Sequence, residues 1–296
     1  KKNNYDTIHI IPLAGRFPFF LIRLLKRNKI VLTLHEVTSH ESQTSDLEVK
    51  KLKGFINNSI PIIFQSNTTK NRFINFQETY LKKEGLKNNL IMNRFGLYQT
   101  YSCFANPIYS RNENQRANIL FLGRIVPYKG IHFLIEAVKI LQEKYPIHLV
   151  VAGKGEPYFD FKDIKSYDFI NQSLSNEEIV SLIQECDMVV LPYTSASQSG
   201  IPMTVYVFNK PIIASNIDGL SEVIDHLKTG ILVDNLSGES FASAIEKLLL
   251  DKELKKHMEE NIKKKYSEGE YSWSSIADKT ITFYKSNIKS KALETR

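Results

Sequence analysis

The sequence predicts an α/β protein made of two parallel-sheet lobes with a cleft between them. Three observations carry that prediction. At 296 residues the chain exceeds what one compact core usually holds, which favours two lobes of about 150 residues each. Short β-branched runs alternate with helical patterns, as βαβ units require. Glycine-rich or cation-bearing loops follow several of those runs, where open parallel sheets hold their ligands.

In the first lobe, residues 8–11 and 29–34 read as strands, with a helix over 19–28 between them. A third strand at 60–65 leads into a helix over 67–83, and 88–93 supplies a fourth strand. The polar, aperiodic stretch RNENQRA, ending at Ala117, marks the boundary: residues 1–110 form one lobe and 111–285 the other, with 286–296 as a tail. In the second lobe strands are predicted at 119–122, 147–152, 168–171, 188–191, 211–214 and 231–233. A helix over 131–145 has its apolar face at Phe133, Leu134, Ala137, Val138 and Leu141. Ser175 and Glu178 form a capping box that opens a helix over 176–186. Helices at 239–250, 252–266 and 274–284 close the chain.

Composition narrows the classes. The chain is 42% hydrophobic, 11% aromatic and 24% charged, with 13 glycines and 10 prolines, so it is not collagenous, low-complexity or wholly disordered. No run approaches the roughly 18 apolar residues of a membrane span. Two cysteines, Cys103 and Cys186, cannot build a disulfide framework or a four-ligand zinc site, and point to a reducing compartment. A net charge of +7 suits anionic partners. Nucleic acid is not expected among them, because the cations are spread along the chain without an RNA-recognition or helix-turn-helix pattern.

Three loops could hold chemistry. Gly123-Arg124-Ile125-Val126-Pro127-Tyr128-Lys129-Gly130 places two cations at a strand end, equipment suited to a diphosphate. It is not a Walker motif, since glycine follows Lys129 and no Ser or Thr awaits magnesium. A solvated turn with two surface cations is the plainer reading. Gly153 and Gly155 permit close backbone approach after the next strand, or make a simple turn. After Leu191, a hydroxyl-rich segment runs to Gly200-Ile201-Pro202, where a helix start could offer free amides to an anion or merely be capped by serines.

LFLGRIVPYKG, HLVVAGKGE, NEEI, VVLPY, SQSGIP, NKPIIAS, GLSEVI and KTGILV occur in that order, followed by Tyr271-Ser272-Trp273. In this series the chain, over roughly residues 117–285, resembles glycosyltransferase family 4. That resemblance implies a GT-B fold of two Rossmann-like lobes and a retaining transfer from a nucleotide sugar to a saccharide or lipid-linked acceptor, in cell-envelope or polysaccharide assembly. No metal or other cofactor is expected. Arg124 and Lys129 would hold the donor diphosphate, and Gly123, Gly153 and Gly200 with Ile201 would line it. Backbone near Ile170 and Asn171 would hold the base. His35, in the IVLTLHE segment, would face the transferred sugar, or would simply bond nearby backbone as a strand-end histidine. The earlier strands of the family's acceptor lobe have no counterpart, so this lobe is expected to be incomplete.

One departure stands out. The family often carries two glutamates with seven residues between them, and Ala196 and Thr204 occupy those places. Gln198 and Ser199 are the expected substitutes, while Glu222 either contacts the donor or caps a helix start at Leu220. A basic aromatic stretch at 16–27 could offer peripheral membrane contact, although a crossover helix with its cations in water is the favoured reading. The expected location is the cytoplasm or the inner face of its membrane. The lysines at 263–265 are expected to face solvent. Two rival functions share the fold: a nucleotide-sugar epimerase and a non-catalytic nucleotide-sugar-binding subunit.

Overall fold

The computed structural model describes residues 5–11, 30–35, 60–81, 89–106, 116–196 and 198–294. The helix expected at 19–28, the basic stretch at 16–27, most of the polar boundary segment and Ser197 lie outside them. Contacts divide the chain into residues 1–95 with 273–296, and residues 96–272.

In the first unit, β1 (Ile8–Ile10), β2 (Ile30–Leu34), β3 (Ile62–Phe64) and β4 (Leu90–Met92) pair in that order, all parallel. Helix α1 (Asn67–Leu81) follows β3. Strand alternation sorts the side chains. Ile30, Leu32, Leu34, Ile62 and Phe64 pack with Phe73 and Phe76 of α1, whereas Val31 and Ile63 pack with Phe283 of the closing helix, Trp273–Glu294. Covering both faces is what a parallel sheet needs. Polar ties fix that helix. Asn93 Nδ2 donates to the Ile276 carbonyl and to Thr280 Oγ1, Asn89 donates to Asn287 Oδ1, and the Tyr284 hydroxyl lies 2.6 Å from His9 Nδ1. The closing helix therefore groups with the first sheet, whereas the sequence reading gives it to the second lobe and ends that lobe at 285.

The second unit holds β5 (Ala117–Leu122), α2 (Ile131–Leu141), β6 (Ile147–Ala152), β7 (Tyr167–Ile170), α3 (Asn176–Glu185) and β8 (Met188–Leu191). It continues through α4 (Ile201–Val205), β9 (Ile212–Ser215), α5 (Asp218–Ser221), β10 (Gly230–Val233), α6 (Gly238–Leu250) and α7 (Lys252–Lys263). Its sheet runs β10-β9-β8-β5-β6-β7, parallel throughout. All residues of β6 and β8 are buried, which explains their apolar runs; the one polar residue, His148 of β6, is satisfied by Ser166 and Asp168.

Element ends differ from the sequence reading where tertiary partners intervene. Helix α2 stops at Leu141 instead of 145: Gln142 turns aside to bond the Asp163 carbonyl and the Lys165 amide, and Pro146 follows. Helix α7 gives way to a wider π-type turn, Lys264–Glu268. There the rings of Tyr206, Tyr266 and Tyr271 gather at 4.6 Å spacings, and the hydroxyls of Tyr266 and Tyr271 donate to the Val223 and Glu222 carbonyls. Of the three lysines expected to face solvent, Lys265 instead pairs with Asp225 at 2.8 Å. Among the described residues, no helix is long and apolar enough to cross a membrane.

Candidate functional site

Strands β6 and β7 leave β5 on one side and β8 lies on the other, so the sheet reverses direction between β5 and β8. Open α/β sheets bind ligands at the carboxyl ends of strands flanking such a reversal. Both cations expected at the diphosphate come from the loop that leaves β5 there.

Backbone contacts set the loop's course. The Gly123 amide donates to the Ala152 carbonyl and the Gly153 amide to the Ile170 carbonyl, which carries the ladder past the strand ends. Ile125 then pairs with Gly155 across an isolated bridge. Gly123 and Gly153 have φ values of 145° and 148°. A Cβ on Gly153 would lie 1.8 Å from the Gly123 carbonyl oxygen, so this approach requires glycine. Asn171 locks the same turn, accepting from the Gly155 amide at 3.1 Å and donating to its carbonyl at 3.0 Å. The Asn171 side chain and the Ile170 carbonyl thus brace the loop itself.

The loop after β8 locks onto the loop after β5. Thr194 donates its amide to the Tyr128 carbonyl, and Gly130 is so close to Pro192 that a Cβ would fall 1.9 Å from its carbonyl oxygen. This places the Lys129 ammonium over the Tyr193 ring, 3.4 Å from the centroid and 5.1 Å from that of Tyr128. Arg124 is exposed and donates to the Tyr128 hydroxyl at 3.1 Å. Among the described residues neither cation forms a salt bridge to a carboxylate. Burial, helped by the Arg124 charge, brings the Lys129 ammonium down from 10.5 to about 7. Beneath it the Tyr193 hydroxyl is fully buried, and Ser199 beside it falls short of hydrogen-bond geometry. The loops thus gather two cations, glycine backbone and an aromatic floor in one place.

The remaining expected residues fall around this centre. Gln198 and Ser199 are half-buried, and Gly200 precedes α4, a helix of only five residues. The Tyr98 ring lies against Gly200, where a Cβ would sit 3.1 Å from it, and the Tyr98 amide donates to the Met203 carbonyl. Thr204, at the second absent glutamate's place, is buried and its hydroxyl returns to the Gly200 carbonyl. Ala196 accepts from the Gly219 amide, tying this loop to α5. Glu222 does not cap a helix start: α5 begins at Asp218, and Glu222 stands at its carboxyl end. His35 belongs to the first unit, where its carbonyl accepts from the Thr69 hydroxyl. Tyr98 and Tyr193 are additions that the sequence reading did not single out. Tyr98 fell on the far side of the boundary drawn at 110. Tyr193 carried one usable signal, a hydroxyl-bearing ring directly after a fully apolar strand.

A family profile described as glycosyl transferases group 1 matches residues 108–265, more than half of the chain and the stretch that builds this site. The chain belongs to the group 1 glycosyltransferases. Among similar proteins, an uncharacterized glycosyltransferase of Methanocaldococcus jannaschii, MJ1178, is 27% identical over 273 residues, covering 88% of this chain and 72% of that protein. The alpha-D-kanosaminyltransferase of Streptomyces kanamyceticus is 28% identical over 179 residues, and this chain covers 58% of itself but only 46% of that enzyme. The crystal structure of Anabaena HepE in complex with UDP superposes with a TM-score of 0.66 at 16% identity, covering 87% of this chain and 72% of that one. That likeness shows the fold, the GT-B α/β build of two parallel sheets. This member of the group carries its two cations in the loop after β5, where the strand order of its sheet reverses.

Proposed function

We propose that this glycosyltransferase moves a sugar from a nucleotide-sugar donor to a saccharide or lipid-linked acceptor with retention of anomeric configuration, as family 4 enzymes do. The observation that carries the reading is that Arg124 and a half-buried Lys129 share one loop and that, among the described residues, no carboxylate forms a salt bridge to either. A nucleoside diphosphate leaving a sugar gains negative charge as the glycosidic bond lengthens. Cations already in place stabilise that charge more in the transition state than in the ground state, and so raise the rate. They need no resident metal to do so. The binding of UDP by a protein of this fold is consistent with such a ligand. Gln198 and Ser199 are proposed to contact the transferred sugar, and Glu222 to line the donor site.

Thermal-shift screening against UDP-glucose, ADP-glucose and GDP-mannose will identify the donor, since a ligand that binds only the folded chain raises its melting temperature by mass action. With that donor, Arg124→Ala and Lys129→Ala should each slow transfer by roughly one to two orders of magnitude, the scale of one charged hydrogen bond at about 1.5–3 kcal/mol. The wild-type rate should persist in a metal chelator. Near-normal turnover by both variants would remove the role given to these cations.

A further inference from the structure

We propose that the ring of Tyr193 is the positioning seat of the Lys129 ammonium, and that an anionic diphosphate arriving there brings a proton in with it. This rests on the nucleotide-sugar reading above. The geometry is specific. The ammonium lies 3.4 Å from the ring centroid, inside the range at which a cation is drawn to an aromatic face. The ring cannot move away, because Tyr193 is fully buried and its loop is bound on both sides, by Pro192 against Gly130 and by Thr194 on Tyr128. Among the described residues the hydroxyl meets no partner at hydrogen-bond geometry, and it is the face of the ring that lies under the ammonium.

Among the described residues, no negative charge around Lys129 favours its protonation, and the aromatic rings alone support the charged form. Arg124 shares its loop, Tyr128 lends a ring at 5.1 Å, and Tyr193 is buried neutral, its ionisation pushed up by burial. On α2, His132 instead packs its ring at a tilt against Phe133 and edge-on against Tyr158. Among the described residues Arg124 is the charged residue that acts on Lys129, and with burial it acts against the ammonium, so at neutral pH a fraction of the side chain rests as the amine. A diphosphate supplies the missing counter-charge. The amine takes a proton from solvent, and the resulting ammonium faces the phosphates while the ring holds its place. Above pH 7 the cost of that protonation falls on affinity, which declines as pH rises.

Calorimetry of the 296-residue chain with UDP-glucose, in buffers of differing ionisation enthalpy, tests this directly. UDP-glucose has no phosphate that titrates near neutrality, so the chain alone supplies any proton change. Wild type should take up roughly half to one proton per ligand near pH 7.5, and affinity should fall toward tenfold per pH unit above about 7. Tyr193→Phe keeps the aromatic face and should reproduce both. Tyr193→Leu removes the ring's support for the charged form and should move the midpoint down by roughly half to one pH unit. A purely structural role for Tyr193 would lower affinity equally at every pH and leave the midpoint in place, which overturns the proposal. Binding without proton uptake overturns it as well. Failure to bind UDP-glucose, ADP-glucose or GDP-mannose at all overturns instead the nucleotide-sugar reading beneath it.

Discussion

A lysine half-buried beside an arginine, with no carboxylate answering it among the described residues, weakens the fold that carries it. Lys129 has its ammonium lowered from 10.5 to about 7, by burial first and by Arg124 second. Between those values the unfolded chain binds more protons than the folded one, so stability rises with pH across that window. The destabilisation is fully present below about pH 7 and fades toward 10.5. Lys129→Met keeps the apolar stem and removes the charge. Its melting temperature should exceed that of wild type near about pH 6.5, with the gap narrowing as pH rises toward about 9.5. Scanning calorimetry across that range checks it, and a gap that ignores pH would mean that burial of this ammonium costs nothing. The sequence showed the two cations, because a strand end followed by Gly-Arg and Lys-Gly is a local pattern. It could not show the Tyr193 ring beneath Lys129, which depends on two loops meeting from strands 66 residues apart in the Thr194–Tyr128 contact.

Helix α3 shows the same contrast one level up. Its start was legible: Ser175 accepts from the Glu178 amide at 3.2 Å, and Glu178 accepts from the Ser175 amide at 2.6 Å, the reciprocal pair that the four-residue spacing encodes. Ser175→Ala should cost about 1 kcal/mol of stability, measured by denaturant titration of the chain. A change below a few tenths would show that α3 is held by its packing alone. Its end was read to within one residue, 186 against Glu185, but the group that satisfies that end was not legible. Lys210 reaches back from the Asn209-Lys210-Pro211 turn and donates to the Gln184 and Cys186 carbonyls at 3.0 and 2.7 Å, satisfying groups a helix end leaves open. That residue looked like part of a family motif and nothing more, since its partners lie 24 and 26 residues upstream. Element interiors were set by local periodicity, whereas their ends were set by whichever distant side chain reached them first. Gln142 ending α2 and Tyr266 opening the π-type turn follow that rule too.

At the scale of the whole chain, the strands were the easiest features to read and the allocation of the last helix the hardest. Buried runs such as ILFL and LVVA announce a doubly covered sheet wherever they occur. A helix announces its apolar side without naming the sheet that will receive it. Phe283 meets Val31 and Ile63, some 250 and 220 residues earlier, and Asn93, Thr280, Asn287 and Tyr284 complete the attachment. The second face of the first sheet is therefore supplied by the far end of the chain, and the first unit's stability should depend on it. With two contact units, each with its own sheet, unfolding need not follow a single two-state transition. Two calorimetric transitions are expected. A bound nucleotide sugar should raise the one belonging to the second unit, which identifies it. Phe283→Ala removes a buried ring and should destabilise the other transition by about 3–5 kcal/mol, leaving the nucleotide-responsive one in place. If both transitions moved together, or if the nucleotide-responsive one alone shifted, the closing helix would not belong with the first sheet in solution.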